Sequence, residues 1–201
     1  MTYKSDIMGL LVNEHYTSER IMFSIKDNIE SNKHPEKSAI KELITLFSYF
    51  ANEIHWKREE TILFPYFLKK GLKDNEAPLS ILLAGHEMMR KQLKWCDVFI
   101  NKEDYETFQI TSSSLLEMIK AHGVLEYMVL FPIVYKQLSE IEKMELEGHG
   151  REFMEKKIGL SAYEEGIKRA GSLMGQLSNK QYNDSEKEII NFVKHSHGII
   201  E

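Results

Sequence analysis

Two stretches of the chain carry the same arrangement of chemistry-bearing residues. His55-Trp-Lys-Arg-Glu59-Glu-Thr-Ile-Leu63-Phe64-Pro65 and His122-Gly-Val-Leu-Glu126-Tyr-Met-Val-Leu130-Phe131-Pro132 both read His-x3-Glu-x3-Leu-Phe-Pro. Residues four apart lie on one face of a helix, so each copy aims an imidazole and a carboxylate at the same point. Glu60, five residues after His55, lies roughly 140° away at 3.6 residues per turn and is not expected to join them. One such pair alone is an ordinary helix stabiliser. Two copies, each set in an apolar stripe, place charge where it needs a partner. Leu-Phe-Pro by itself reads as packing followed by a helix kink or end at Pro65 and Pro132.

The chain has eight histidines: His15, His34, His55, His86, His122, His149, His195 and His197. Four of them share a depth. His55 and His122 each precede a Leu-Phe-Pro proline by ten residues, and His86 follows Pro78 by eight. His15 sits about ten residues into the first helical stripe, so at ~1.5 Å per residue all four fall ~12–15 Å from one end of an antiparallel bundle. Four imidazoles and two carboxylates at one level are costly to bury without a metal. They exceed what one zinc ion takes. They suit two adjacent metals, each with two imidazoles, both spanned by the carboxylates. Nitrogen and oxygen ligands without thiolate favour iron or manganese. Glu-x-x-His, which a ferritin-like di-iron centre uses, is absent, and so is the His-Glu-x-x-His of zinc proteases.

The elements that position these residues follow from apolar spacing. Ile7, Leu11, Ser18, Met22, Ile25 and Ile29 form one stripe with His15 in it. Pro35 suits the first position of a second helix, which carries Ile40, Leu43, Ile44, Phe47, Ala51, Ile54, Ile62 and Leu63. Gly71 to Pro78 reads as a loop. A third helix from about Leu79 to Ile100 points Leu82, Leu83, His86, Met89, Leu93, Cys96 and Ile100 inward. A fourth, after the turn at residues 101–104, points Phe108, Thr111, Leu115, Met118, Ile119, His122, Glu126, Val129 and Ile133 inward. No segment alternates with period two long enough for a sheet. The expected fold is all-α: an up-down-up-down four-helix bundle over residues 1–138, with a helical extension over 139–201. Ser161 with Glu164 and Ser185 with Glu188 resemble capping boxes in that extension.

Composition narrows the function classes. Among 201 residues, 42% are hydrophobic and 28% charged, as in a folded chain. The formal net charge of −5 argues against nucleic acid as a partner. A lone cysteine, Cys96, excludes a disulfide framework and a thiolate-rich metal site; in its apolar stripe it reads as a buried, inert thiol. No apolar run comes near the ~18–20 residues that cross a bilayer, so no membrane partner is expected. The N-terminus lacks a secretory layout, which predicts a cytoplasmic location. His34 reads as a turn residue, His149 as lining a loop between two glycines, and His195 and His197 as tail residues.

At these positions the chain resembles the hemerythrin-like, HHE cation-binding family, over roughly residues 5–138. The resemblance rests on Glu14-His15, His55 with Glu59, His86-Glu87, and His122 with Glu126. It implies a four-helix bundle holding two Fe ions, oxo- or hydroxo-bridged. His15, His55, His86 and His122 would be terminal ligands, and Glu59 and Glu126 would bridge. Oxygen-carrying members have a second histidine where this chain has Arg90, and an aspartate where it has Tyr127. The pattern is closer to the family's repair-of-iron-centres proteins, which use His-x3-Glu twice, but their cysteine-bearing N-terminal domain has no counterpart here. An incompletely coordinated iron pair would bind O2, NO or peroxide, in sensing or in oxidative or nitrosative stress. The alternatives are a di-iron enzyme reducing peroxide or NO, an iron donor for cluster repair, and an iron-storage or helical interaction module. Tyr16, Tyr127, Glu14 and Glu87 neighbour the ligands and are candidates to tune them, against the plainer expectation that they pack or face outward. The extension is expected to pack on the bundle or to mediate self-association or partner binding.

Overall fold

A computed structural model describes residues 7–31 and 36–177. Pro35, His34, the Ser185–Glu188 pair, His195 and His197 lie outside them. The described residues form six helices and no strand. Helix α1 is Ile7–Ser31. Helix α2 (37–69) is α-helical over Lys37–Tyr49, π-helical over Phe50–Trp56 and Glu59–Leu63, and closes with the α turn Phe64–Lys69. Helix α3 is Leu79–Lys102, and α4 runs Tyr105–Tyr135 with a π-helical stretch at Glu126–Leu130. Helices α5 (Glu140–Lys157) and α6 (Leu160–Leu177) form the extension.

Short joints make α1 to α4 antiparallel neighbours around a square, with α4 packed on both α1 and α3. Their apolar stripes meet in two clusters. One is built on Ile21, Met22, Ile25, Leu43, Phe47, Leu93, Cys96, Phe108 and Leu115, the other on Leu11, Leu63, Phe67, Leu82, Leu130 and Val134. Each of α1 to α4 passes from one cluster to the other. His15, His55, Glu59, His86, His122 and Glu126 occupy the crossing, a polar layer between two apolar ones. Burying each large apolar side chain contributes roughly 1.5–3 kcal/mol, and this fixes the depth at which the layer forms.

Neither Leu-Phe-Pro segment ends its helix. A π turn directly precedes each proline: Phe64 N–H donates to the Glu59 carbonyl and Phe131 N–H to the Glu126 carbonyl. The wider turn absorbs one residue and keeps the helix going past a ring that would otherwise clash with the carbonyl four residues back. It also resets the helical phase. Val129 and Ile133, expected inward, are exposed, while Leu130, Phe131 and Val134 are buried.

The extension lies across α1 and α2. Ser139 caps α5 in a capping box with Glu142. Ser161 does not act as the expected cap, since α6 already begins at Leu160. His149 lies within α5 and not in a loop; its Nδ1 is 3.2 Å from the Tyr66 hydroxyl. Two glycines permit the close approach. A Cβ on Gly150 would lie 2.5 Å from Ile7 Cδ1, and one on Gly166 would lie 2.3 Å from Phe50 Cζ. Ala170, Leu173, Met174 and Leu177 enter one cluster and Leu146 the other.

By length and composition α4 meets the standard of a bilayer-crossing helix, with an 18-residue window of mean hydropathy 1.2. This corrects the reading that no segment comes near it. In the fold this helix packs on α1 and α3 and turns His122 and Glu126 inward, as a bundle-core helix does.

Candidate metal centre

All six sequence-predicted ligands are buried and converge. They divide into two groups of four, His15–His55–Glu59–Glu126 and Glu59–His86–His122–Glu126, within each of which the ligand atoms lie within 4.8 Å of one another. Each group has two imidazoles of its own, and both share the two carboxylates. His15 Nε2 and His55 Nε2 are 3.1 Å apart, and His86 Nε2 and His122 Nε2 are 3.0 Å apart. Two ligands at right angles on bonds of about 2.1 Å would stand about 3 Å apart.

The carboxylates span the pairs. Glu59 Oε1 is 3.3 Å from His55 Nε2, and its Oε2 is 3.2 Å from His86 Nε2. Glu126 Oε2 is 2.6 Å from His15 Nε2, and its Oε1 is 3.3 Å from His122 Nε2. Yet both oxygens of Glu59 and Oε1 of Glu126 are buried without a hydrogen-bond donor among the described residues. Native interiors rarely leave such atoms unpaired. Imidazole nitrogens and orphaned oxygens that converge on common points are what two cations would satisfy, so the donor set fits a metal pair.

Electrostatics agree. Burial pushes Glu126 up, but His122 and His15 beside it overcome this and hold it well below the usual carboxylate range. Burial pushes His86 down, and Glu59 and Glu60 overcome that and raise it to about 9. His15 is raised in the same way, burial being outweighed chiefly by Glu126. His122 goes the other way: burial, with His86 beside it, outweighs Glu126 and lowers it.

Outer groups fix the imidazoles. His55 Nδ1–H donates to Glu14 Oε2 at 2.8 Å, and His86 Nδ1–H donates to Glu60 Oε1 at 2.7 Å. Each bond leaves Nε2 for the centre. Each carboxylate also takes an arginine: Arg58 Nη2 donates to Glu14 Oε2, and Arg90 Nη2 to Glu60 Oε1 at 2.7 Å. Tyr163 of α6 donates to Glu14 Oε1 at 2.9 Å. Trp56 and Phe64 both stack on the His86 ring, with centroids 5.4 and 5.9 Å away. Gly85 and Gly123 leave room for His122 and His15, whose Nδ1 atoms would each stand 3.2 Å from an added Cβ.

Glu14, expected to face outward, thus holds a ligand histidine. Glu60 stays out of the centre as expected, but its lateral position puts it beside His86. Glu87 is exposed and pairs with Arg90. Tyr127 packs edge-on to His15 at 6.5 Å, and Tyr16 packs on Tyr127. Arg58 and Tyr163 were not singled out in the sequence. An arginine inside the apolar stripe of α2 was the available signal for Arg58; nothing local marks Tyr163. Cys96 is fully buried, and burial raises its thiol to about 12, as an inert thiol requires.

A helical bundle holding two carboxylate-bridged groups of histidines is the architecture of a dinuclear metal protein. Residues 6–134 match the model of the hemerythrin HHE cation-binding domain, and the chain belongs to that family. A comparison with curated proteins finds no match.

Proposed function

We propose that the chain is a cytoplasmic, non-haem di-iron protein that binds O2 or NO in sensing or in the response to oxidative or nitrosative stress. The two ligand groups sharing Glu59 and Glu126 carry this reading. His15 and His55 would hold one iron, His86 and His122 the other, and the two glutamates would bridge them. When bound, the pair supplies a ferrous–ferric couple and an open coordination position.

The chain's own residues favour a small ligand. A cavity of about 20 Å³ adjoins His55, lined by Glu14, Phe50, Ile54 and Tyr163 among others. That is space on the scale of a water or a diatomic molecule. Its lining is largely apolar, which suits a neutral diatomic.

The test is to load the protein with ferrous iron anaerobically and add O2 or NO while recording absorption spectra. A persistent stoichiometric adduct supports binding and sensing. Multiple turnovers of O2, peroxide or NO would replace this reading with an enzyme, and transfer of iron to an apo iron–sulfur protein would replace it with repair.

A further inference from the structure

The two halves of the centre have matching outer groups, except for one. On one side stands His55–Glu14–Arg58, on the other His86–Glu60–Arg90, each a ligand imidazole, a carboxylate and a guanidinium meeting at one carboxylate oxygen. Their surroundings differ. Glu60 and Arg90 are partly open, at the edge of a polar groove between α2 and α3 that Asn52, Lys57 and Lys94 also line. Glu14 and Arg58 are buried, and the second oxygen of Glu14 accepts from Tyr163. Tyr163 comes from α6, 149 residues away in sequence, and lines the small cavity beside His55. Its approach depends on the Gly166 contact with Phe50, whose ring meets that of Tyr163 edge-on at 5.5 Å.

We propose that Tyr163 is a positioning residue for the His15/His55 metal position, which makes helix α6 a working part of the centre and renders the two metal positions inequivalent. The proposal rests on the dinuclear reading above. A carboxylate that accepts from a single side can swing. Glu14 is gripped at both oxygens, with Arg58 and His55 on Oε2 and Tyr163 on Oε1, so the plane of His55 and the aim of its Nε2 are fixed. Among the described residues no tyrosine hydroxyl reaches Glu60, so the His86/His122 position does not depend on the described helices of the extension in this way.

The experiment titrates Co(II) into the full chain and into Tyr163→Phe, following absorption and stoichiometry. It is repeated where only one position is left, by His86→Ala/His122→Ala or by His15→Ala/His55→Ala. Tyr163→Phe is expected to weaken the His15/His55 position about tenfold, at the lower end of what outer-group losses cost. It should leave the His86/His122 position unchanged. If the histidine variants fail to fold, the same split is read from the ratio of the two binding constants in the otherwise unaltered chain. Tyr66→Phe removes the comparable contact between α2 and His149 of α5 and should change neither constant. Equal constants in Tyr163→Phe and the unaltered chain, or an equal loss at both positions, overturn the proposal. Failure of the unaltered chain to bind two metals overturns the dinuclear reading instead.

Discussion

Arg90 and His86 meet at one atom: both donate to Oε1 of Glu60, each at 2.7 Å. Arg90 stands four residues after His86, where oxygen-carrying relatives of this pattern place a further histidine ligand. Here the side chain steadies His86 through a shared carboxylate. Its other nitrogens reach Asn52 and Glu87, and its guanidinium lies over Trp56. Glu60→Ala is therefore expected to weaken the His86/His122 position by roughly 10- to 100-fold while two metals still bind at saturation. Co(II) titration measures this.

Glu59 is a liability without metal, and in the proposed centre it would serve as a bridge. Neither of its buried oxygens finds a donor among the described residues, and such a group costs roughly 1–3 kcal/mol. Glu59→Leu keeps similar bulk. It should raise the thermal midpoint of the metal-free protein and remove most of the further rise that metal gives the unaltered chain. Calorimetry with and without metal reads both effects.

Metals and protons compete for the same nitrogens. With His86 raised to about 9 and His15 raised as well, loading near pH 7 should release protons, measurable with an indicator in weak buffer. Affinity should fall as the pH drops. For the metal-free fold the sign is fixed by linkage: a histidine raised above its unfolded value of about 6.5 stabilises fully below that pH and loses the contribution as pH climbs through about 9. The metal-free midpoint should decline over that window, and metal should flatten the decline.

Gly166 tests the seating of the extension. A methyl group there would meet the Phe50 ring at 2.3 Å, so Gly166→Ala should cost roughly 1–3 kcal/mol of stability as overpacking. Gly171, with nothing near its Cβ position among the described residues, is the control, and Gly171→Ala should not destabilise. Chemical denaturation compares the two.

Much of this was legible in the residues. The repeated His-x3-Glu pair and the shared depth of His15, His55, His86 and His122 follow from helical periodicity, which acts over a few residues and survives into the fold. What was hidden depends on longer range. Periodicity assumes 3.6 residues per turn, and the π turns before Pro65 and Pro132 break it. That is why Val129 and Ile133 were expected inside and Leu130 and Val134 took their places. Angular reasoning rightly kept Glu60 out of the centre, but it could not show that α3 brings His86 alongside. Glu14 looked outward because nothing local says that Arg58 and Tyr163 will enclose it. The Ser139–Glu142 capping box is written in the residues as plainly as Ser161 with Glu164, and only the fold shows that Ser139 starts a helix while Ser161 lies inside one.

The most direct measurement is the metal content of protein expressed with ample iron and purified aerobically, read beside its absorption spectrum and beside the same protein carrying Glu59→Ala and Glu126→Ala. The two ligand groups predict two irons per chain with charge-transfer bands of a bridged pair, both lost in the double variant. Less than one metal per chain in the unaltered protein, or two irons retained without Glu59 and Glu126, would contradict the shared-carboxylate centre.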